Sequence, residues 1–180
     1  MKYSITGITR TLENGTVLYQ IRAERDIPVF NVKKGDLGGW IEKEDNLSQE
    51  GDCWVYGDAR VYGNAWVYGN AWVYEDALVY DYACVSGDAW VYGNARVYGN
   101  AQVYENAQVY GNAWVFEYTD IYGNVHIFGN ARVYGNAQVF GNALVSGEAR
   151  INKTVQEEEK STKIIDSRDE LDLLMDCIFE

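Results

Sequence analysis

From Val55 to Ile151 every sixth residue is Val or Ile, seventeen positions with no insertion or deletion. Four residues after each of them stands Ala at fourteen of sixteen places, with Thr119 and Val125 as the exceptions. A period of six fits neither an α-helix nor a heptad, but it does fit a short strand followed by a turn. The aliphatic residue points in, its two neighbours point out, Gly-Asn turns the corner, and Ala fills the corner's tight interior. Gly, Asn and Asp suit that corner because a sharp turn needs a residue tolerant of positive φ. Glu75, Asp81, Glu105 and Glu117 occupy the Gly place, so those corners are expected to be strained, solvated or differently shaped. A strand so short cannot bury its face alone. Stacking coils at about 4.8 Å pairs each backbone with its neighbours and closes a Val/Ala core, which predicts an all-β parallel β-helix.

The flanks read differently. Over residues 2–24, Tyr3, Ile5 and Ile8 lead to Leu12, Asn14-Gly15 suits a tight turn, and Val17, Tyr19 and Ile21 alternate on the return. This is a hairpin pattern, expected to cover one end of the solenoid. Residues 29–52 match the repeat only in part, through Leu37, Trp40, Ile41 and Leu47, and read as a degenerate first coil. After Ile151 the chain turns polar around Glu157-Glu158-Glu159; Ser167 with Glu170 then forms a capping box for a short helix whose apolar face holds Leu171, Leu174 and Ile178. Three segments follow: a cap over 1–50, the repeat β-helix over 51–152, and an acidic linker with an amphipathic helix over 153–180. The helix is expected to cover the open end, to pack on a sister chain or to bind a partner.

The V-Y-G-N-A-x repeats over about residues 51–151 resemble those of the hexapeptide-repeat superfamily. The resemblance implies a left-handed, triangular β-helix with eighteen residues per coil. The stretch K-G-D-L-G-G-W-I-E at Lys34–Glu42, followed by V-Y-G-N-A repeats, is similar to proteins of phages and prophages, a likeness that brings no activity with it.

On an eighteen-residue coil, the residue before each inward Val falls into one of three columns. One holds Trp54, Trp72, Trp90, Gln108, His126 and Leu144; a second holds Arg60, Leu78, Arg96, Trp114, Arg132 and Arg150; the third holds Trp66, Cys84, Gln102, Asp120 and Gln138. The residue after the Val is nearly always Tyr or Phe. Such rings are expected to stack and stiffen the coil, and exposed Trp, Tyr and Arg are also the residue types enriched at binding hot spots. Arg60, Arg96 and Arg132 are expected either to receive acidic groups or to lie over Tyr rings as cation–π pairs.

Fifteen Tyr, six Trp and a single Pro in 180 residues reflect the repeat. The net charge of −12 argues against a nucleic-acid partner. Residues 1–7 lack the basic stretch and apolar run of a signal peptide, and no apolar run approaches membrane length, so a cytoplasmic protein with no membrane contact is expected. Three cysteines without paired spacing give neither a disulfide frame nor a zinc set, and Cys53, in the small inward place, reads as a packed thiol.

Many hexapeptide-repeat proteins are acyltransferases that use an acyl coenzyme A, with a His as general base. The one His, His126, needs an orienting partner and a pocket, and no loop interrupts these repeats to build one. Three imidazole zinc ligands are not available, and no Gly-rich segment with a following Lys leads into a helix as a phosphate loop requires. No cofactor or metal is therefore expected. The reading is a non-catalytic interaction module, encoded by a phage or prophage, that binds and inhibits a host protein such as a defence component. A dimer or trimer of the chain is expected, and an acyltransferase or a self-assembling solenoid are the alternatives.

Overall fold

The computed structural model describes residues 1–157 and 164–165; the helix expected to present Leu171, Leu174 and Ile178 lies outside them. Each repeat forms a strand of two residues, the inward Val or Ile and the residue before it, such as Trp72–Val73, Leu78–Val79 and Cys84–Val85, except at Gln138–Gly141, where the strand runs over four. Every third strand pairs in parallel with the next, in register at eighteen residues: Trp72 with Trp90, Val73 with Val91. The chain is thus a β-solenoid with three parallel sheets, which we name by their outward residues the arginine, tryptophan and glutamine faces.

Coils are joined by backbone hydrogen bonds on each face. Tyr74 N donates to Val91 O at 3.0 Å and Arg96 N to Ala113 O at 2.9 Å, so the short strands satisfy their polar groups between coils instead of within one hairpin. Inside, the Val/Ile and Ala columns are buried from Val55 to Ile151 and form one continuous core.

The corners explain the Gly and acid positions. Gly57, Gly63 and Gly69 have φ of 67°, 68° and 70°, and Glu75, Asp81, Glu105 and Glu117 adopt the same left-handed backbone at 59–63°. These four corners are therefore strained and solvated, as expected, but not differently shaped. A Cβ at such a place points along the stack toward the next coil; one added to Gly87 would lie 2.7 Å from Glu105 N. The four acids use that direction. Glu75, Asp81, Glu105 and Glu117 accept hydrogen bonds from the N–H of Gly93, Gly99, Gly123 and Gly135, the residue one coil further, at 2.8, 3.2, 2.8 and 2.7 Å.

The N-terminal end is closed by the chain itself. Strand β1 (Tyr3–Thr11) pairs antiparallel with β2 (Val17–Ala23), which pairs antiparallel with β3 (Leu37–Ile41), and β3 pairs in parallel with Arg60–Val61. The hairpin thus prolongs the arginine-face sheet and covers its edge, while Tyr3, Ile21, Ala23 and Ile27 join the solenoid core. The first coil is larger than the rest: Ile41 and Leu47 pair with residues twenty further on, Val55 with one eighteen further on. The two extra residues lie between Leu47 and Val55. Among the described residues no helix is long and apolar enough to cross a membrane.

Candidate functional site

The column on the arginine face runs Trp40, Arg60, Leu78, Arg96, Trp114, Arg132, Arg150, each in register with the next. Beside it Tyr62, Tyr80, Tyr98, Phe116 and Tyr134 stack with centroids 4.9–5.5 Å apart and planes within 12°. That spacing is the rung spacing of a parallel sheet, so the backbone sets the ring separation and the offset stacking follows at little added cost. The Arg96 and Arg132 guanidinium groups lie 5.0 and 4.7 Å from the Trp114 ring, one from each side. Each arginine follows an inward-facing Ala in sequence, on a strand held by both neighbours, so its base is rigid while its end is exposed. No carboxylate pairs with Arg96, Arg132 or Arg150 among the described residues, where the ion pairs are Arg10–Asp58, Arg25–Asp52 and Lys33–Asp26. The cation–π contact expected with Tyr is made with Trp114 instead, because the ring directly above or below an arginine is a column neighbour.

From Arg60 to Arg132 the face alternates with a period of two coils, and Arg150 ends the alternation. Coils bearing Arg60, Arg96 and Arg132 turn the next corner with Gly63-Asn64, Gly99-Asn100 and Gly135-Asn136; coils bearing Leu78 and Trp114 turn it with Asp81-Tyr82 and Glu117-Tyr118. Arginine rows are therefore separated by rows with an apolar residue, a carboxylate and an exposed ring. Tyr82 and Tyr118 are 64% and 65% exposed. The sequence reading sorted residues at eighteen and missed this; the signal is a repeat at thirty-six, visible once the corner residues are read together with the column.

The tryptophan face presents less than its sequence promises. Trp54 is fully buried, because the segment around Gly38 folds across it, so it is withdrawn from the exposed candidates. Trp72 is half-buried under Phe30, whose ring centroid is 4.3 Å away, and Trp90 packs edge-on against Trp72 at 5.6 Å. Sequence periodicity carries no record of this cover, which comes from residues outside the repeat. Further along, His126 stands between Gln108 and Leu144 and lies edge-on to Tyr110 at 6.3 Å. Burial alone pushes its imidazole below the usual value, with no charged group contributing. Among the described residues no carboxylate is hydrogen-bonded to it as an orienting partner for a general base, and the clefts beside the cap do not include it.

Those clefts lie at the N-terminal end. One, of about 600 Å³, is bounded by Lys43, Leu47, Asn64 and Trp66 on the glutamine face; the other, of about 560 Å³, lies between the hairpin and the arginine face and is lined by Arg10, Glu13, Asp58, Arg60, Tyr62 and Asp76. Arg10 spans that second cleft, its guanidinium 4.5 Å from the Trp40 ring and 2.8 Å from Asp58 Oδ1. Among the described residues no cluster of His, Cys, Asp and Glu is arranged to hold a metal ion.

Four stretches match the YdcK beta solenoid repeat family: residues 55–69, 89–105, 125–139 and 137–152. Together they cover about a third of the chain, all of it within the stacked coils. The match agrees with the coil geometry and says nothing of the cap or of a ligand. No curated protein matches the chain.

Proposed function

We propose that the arginine face binds a protein, and that the molecule is a cytoplasmic interaction module encoded by a phage or prophage whose partner is a host protein that it inhibits. The observation that carries this reading is Trp114 held between Arg96 and Arg132, with no acid of the described residues on either guanidinium. An exposed Arg and Trp cluster on a rigid support is what interface hot spots are made of, and it costs little entropy to dock against. The complementary surface carries carboxylates about 10 Å apart, two rungs of a parallel sheet, with apolar side chains between them. The phage assignment rests on the likeness at Lys34–Glu42, and with the likeness to hexapeptide repeats we read the coil as left-handed.

The test is capture from host lysate by the immobilised protein, compared with an Arg96→Ala/Arg132→Ala double variant of unchanged melting temperature. Two hot-spot anchors at about 1–2 kcal/mol each predict at least a tenfold fall in retained partner. Equal retention by the two proteins rejects the face. A second copy of the chain is the rival occupant; sedimentation at several concentrations separates it, since a dimer or trimer through this face dissociates in the same double variant.

A further inference from the structure

Lys2 and Cys53 are both buried, at 1% and 0% exposure, where the residue just before β1 meets the first coil. Lys2 Nζ donates to Cys53 O at 2.7 Å and lies 2.9 Å from Cys53 Sγ, with Glu50 O at 3.4 Å. The sulfur is ringed by the carbonyls of Val67, Ser48 and Glu50 at 3.6, 3.7 and 3.8 Å. A lysine so deeply buried normally has an anionic partner. Here the atom facing the nitrogen is a thiol sulfur, and the corner places of the later coils hold Ala instead. Desolvation lowers the affinity of Lys2 for its proton and opposes ionisation of Cys53, so both are driven toward the neutral amine and the neutral thiol. A neutral amine has a lone pair to share with an oxidised sulfur.

We propose that Lys2 and Cys53 are a modification site at which oxidation joins Nζ to Sγ through one oxygen atom, locking the N-terminal strand to the first coil. In the balanced step one N–H and the S–H are broken, one atom of dioxygen is inserted to make N–O–S, and the other leaves as water. Nitrogen and sulfur are each oxidised by two electrons, and dioxygen takes up the four. With hydrogen peroxide as oxidant, two equivalents are consumed and three waters leave. Reduction by two equivalents of a dithiol returns the amine, the thiol and water. Neither side chain meets bulk solvent, so bulky disulfides are excluded and the oxidants are the small ones, admitted when the terminal strand opens locally. The link closes a chain segment of about fifty residues, which restricts the unfolded chain and raises the melting temperature.

The experiment uses the full chain, treated with air or hydrogen peroxide and compared with a dithiol-treated sample by intact mass and peptide mapping. The expected product has gained one oxygen and lost two hydrogens, joins the peptides of Lys2 and Cys53, melts several degrees higher than the reduced protein, and reverts with dithiol. Cys53→Ala installs the residue the repeat itself uses and therefore folds; it abolishes the link, whereas Cys84→Ala retains it. Recovery of Cys53 as a free thiol after peroxide, or as a sulfinic acid with no joined peptide, overturns the proposal.

Discussion

Thr119 shows what one misfit residue costs in this core. It takes an Ala place, is fully buried, and its hydroxyl has no hydrogen-bond partner. Such an orphan costs about 1–3 kcal/mol. Thr119→Val removes the hydroxyl while keeping the shape, and Val125 shows that the corner accepts Val; a rise in stability of about 1 kcal/mol in a urea melt is expected, and a fall would mean that the hydroxyl is satisfied. Glu105 is a second case. Its left-handed backbone costs about 1–2 kcal/mol and its hydrogen bond to Gly123 N returns about as much. Glu105→Ala keeps the strain and loses the bond, so it destabilises by about 1 kcal/mol, whereas Glu105→Gly removes both and is near neutral. The sequence marked all these positions as departures from the repeat, but not their consequences, because whether an off-pattern side chain finds a partner depends on the coil above it. His126 adds a pH dependence. Its folded-state pKa lies below the usual 6.5, so the unfolded chain binds the proton more readily; stability present above that value is lost as the pH falls below it. Melts at pH 7 and pH 5 are expected to differ more for the wild type than for His126→Gln.

At the scale of elements, the ladders and the cap depend on different kinds of information. The Tyr and Phe columns could be read from the sequence because backbone register alone decides them. Burial, together with neighbouring Tyr98 and Tyr62, pushes the Tyr80 hydroxyl up to about 12, and burial raises Tyr74 further along the same kind of stack. The folded chain therefore keeps protons that the unfolded chain releases near pH 10, so stability is full below that pH and is lost as pH rises through the folded-state values. In an ultraviolet titration the ladder tyrosines are expected to ionise late and together with unfolding; smooth early titration of all fifteen would contradict the stacks. The hairpin was legible from its alternation and its Asn14-Gly15 turn. That its following segment would bury Trp54 and shade Trp72 was not, since a non-repeating stretch carries no periodic signal of where it docks.

For the whole molecule, stability is a sum over coils and their interfaces. Removing residues 92–109 deletes one coil and joins Val91 to Tyr110 in register, so the chain should still melt cooperatively; a six-residue deletion moves every later strand to a different face and should not. The same one-coil deletion sets Glu117 directly over Asp81, two carboxylates at successive corners, whereas removal of 92–127 deletes two coils and leaves Gly135 there. The larger deletion is accordingly expected to lose less stability per coil removed, a difference that disappears if the acid corners are independent of their neighbours.

Because a corner side chain leans toward the coil that follows and never toward the one before, the stack has a grammar that reads in one direction. An acid at a corner is acceptable when a glycine comes one coil later, as happens after Glu75, Asp81, Glu105 and Glu117. Gene rearrangements that shuffle coils are then judged at one side of each junction only, and the chain can grow or shrink by whole coils wherever the downstream neighbour is a glycine.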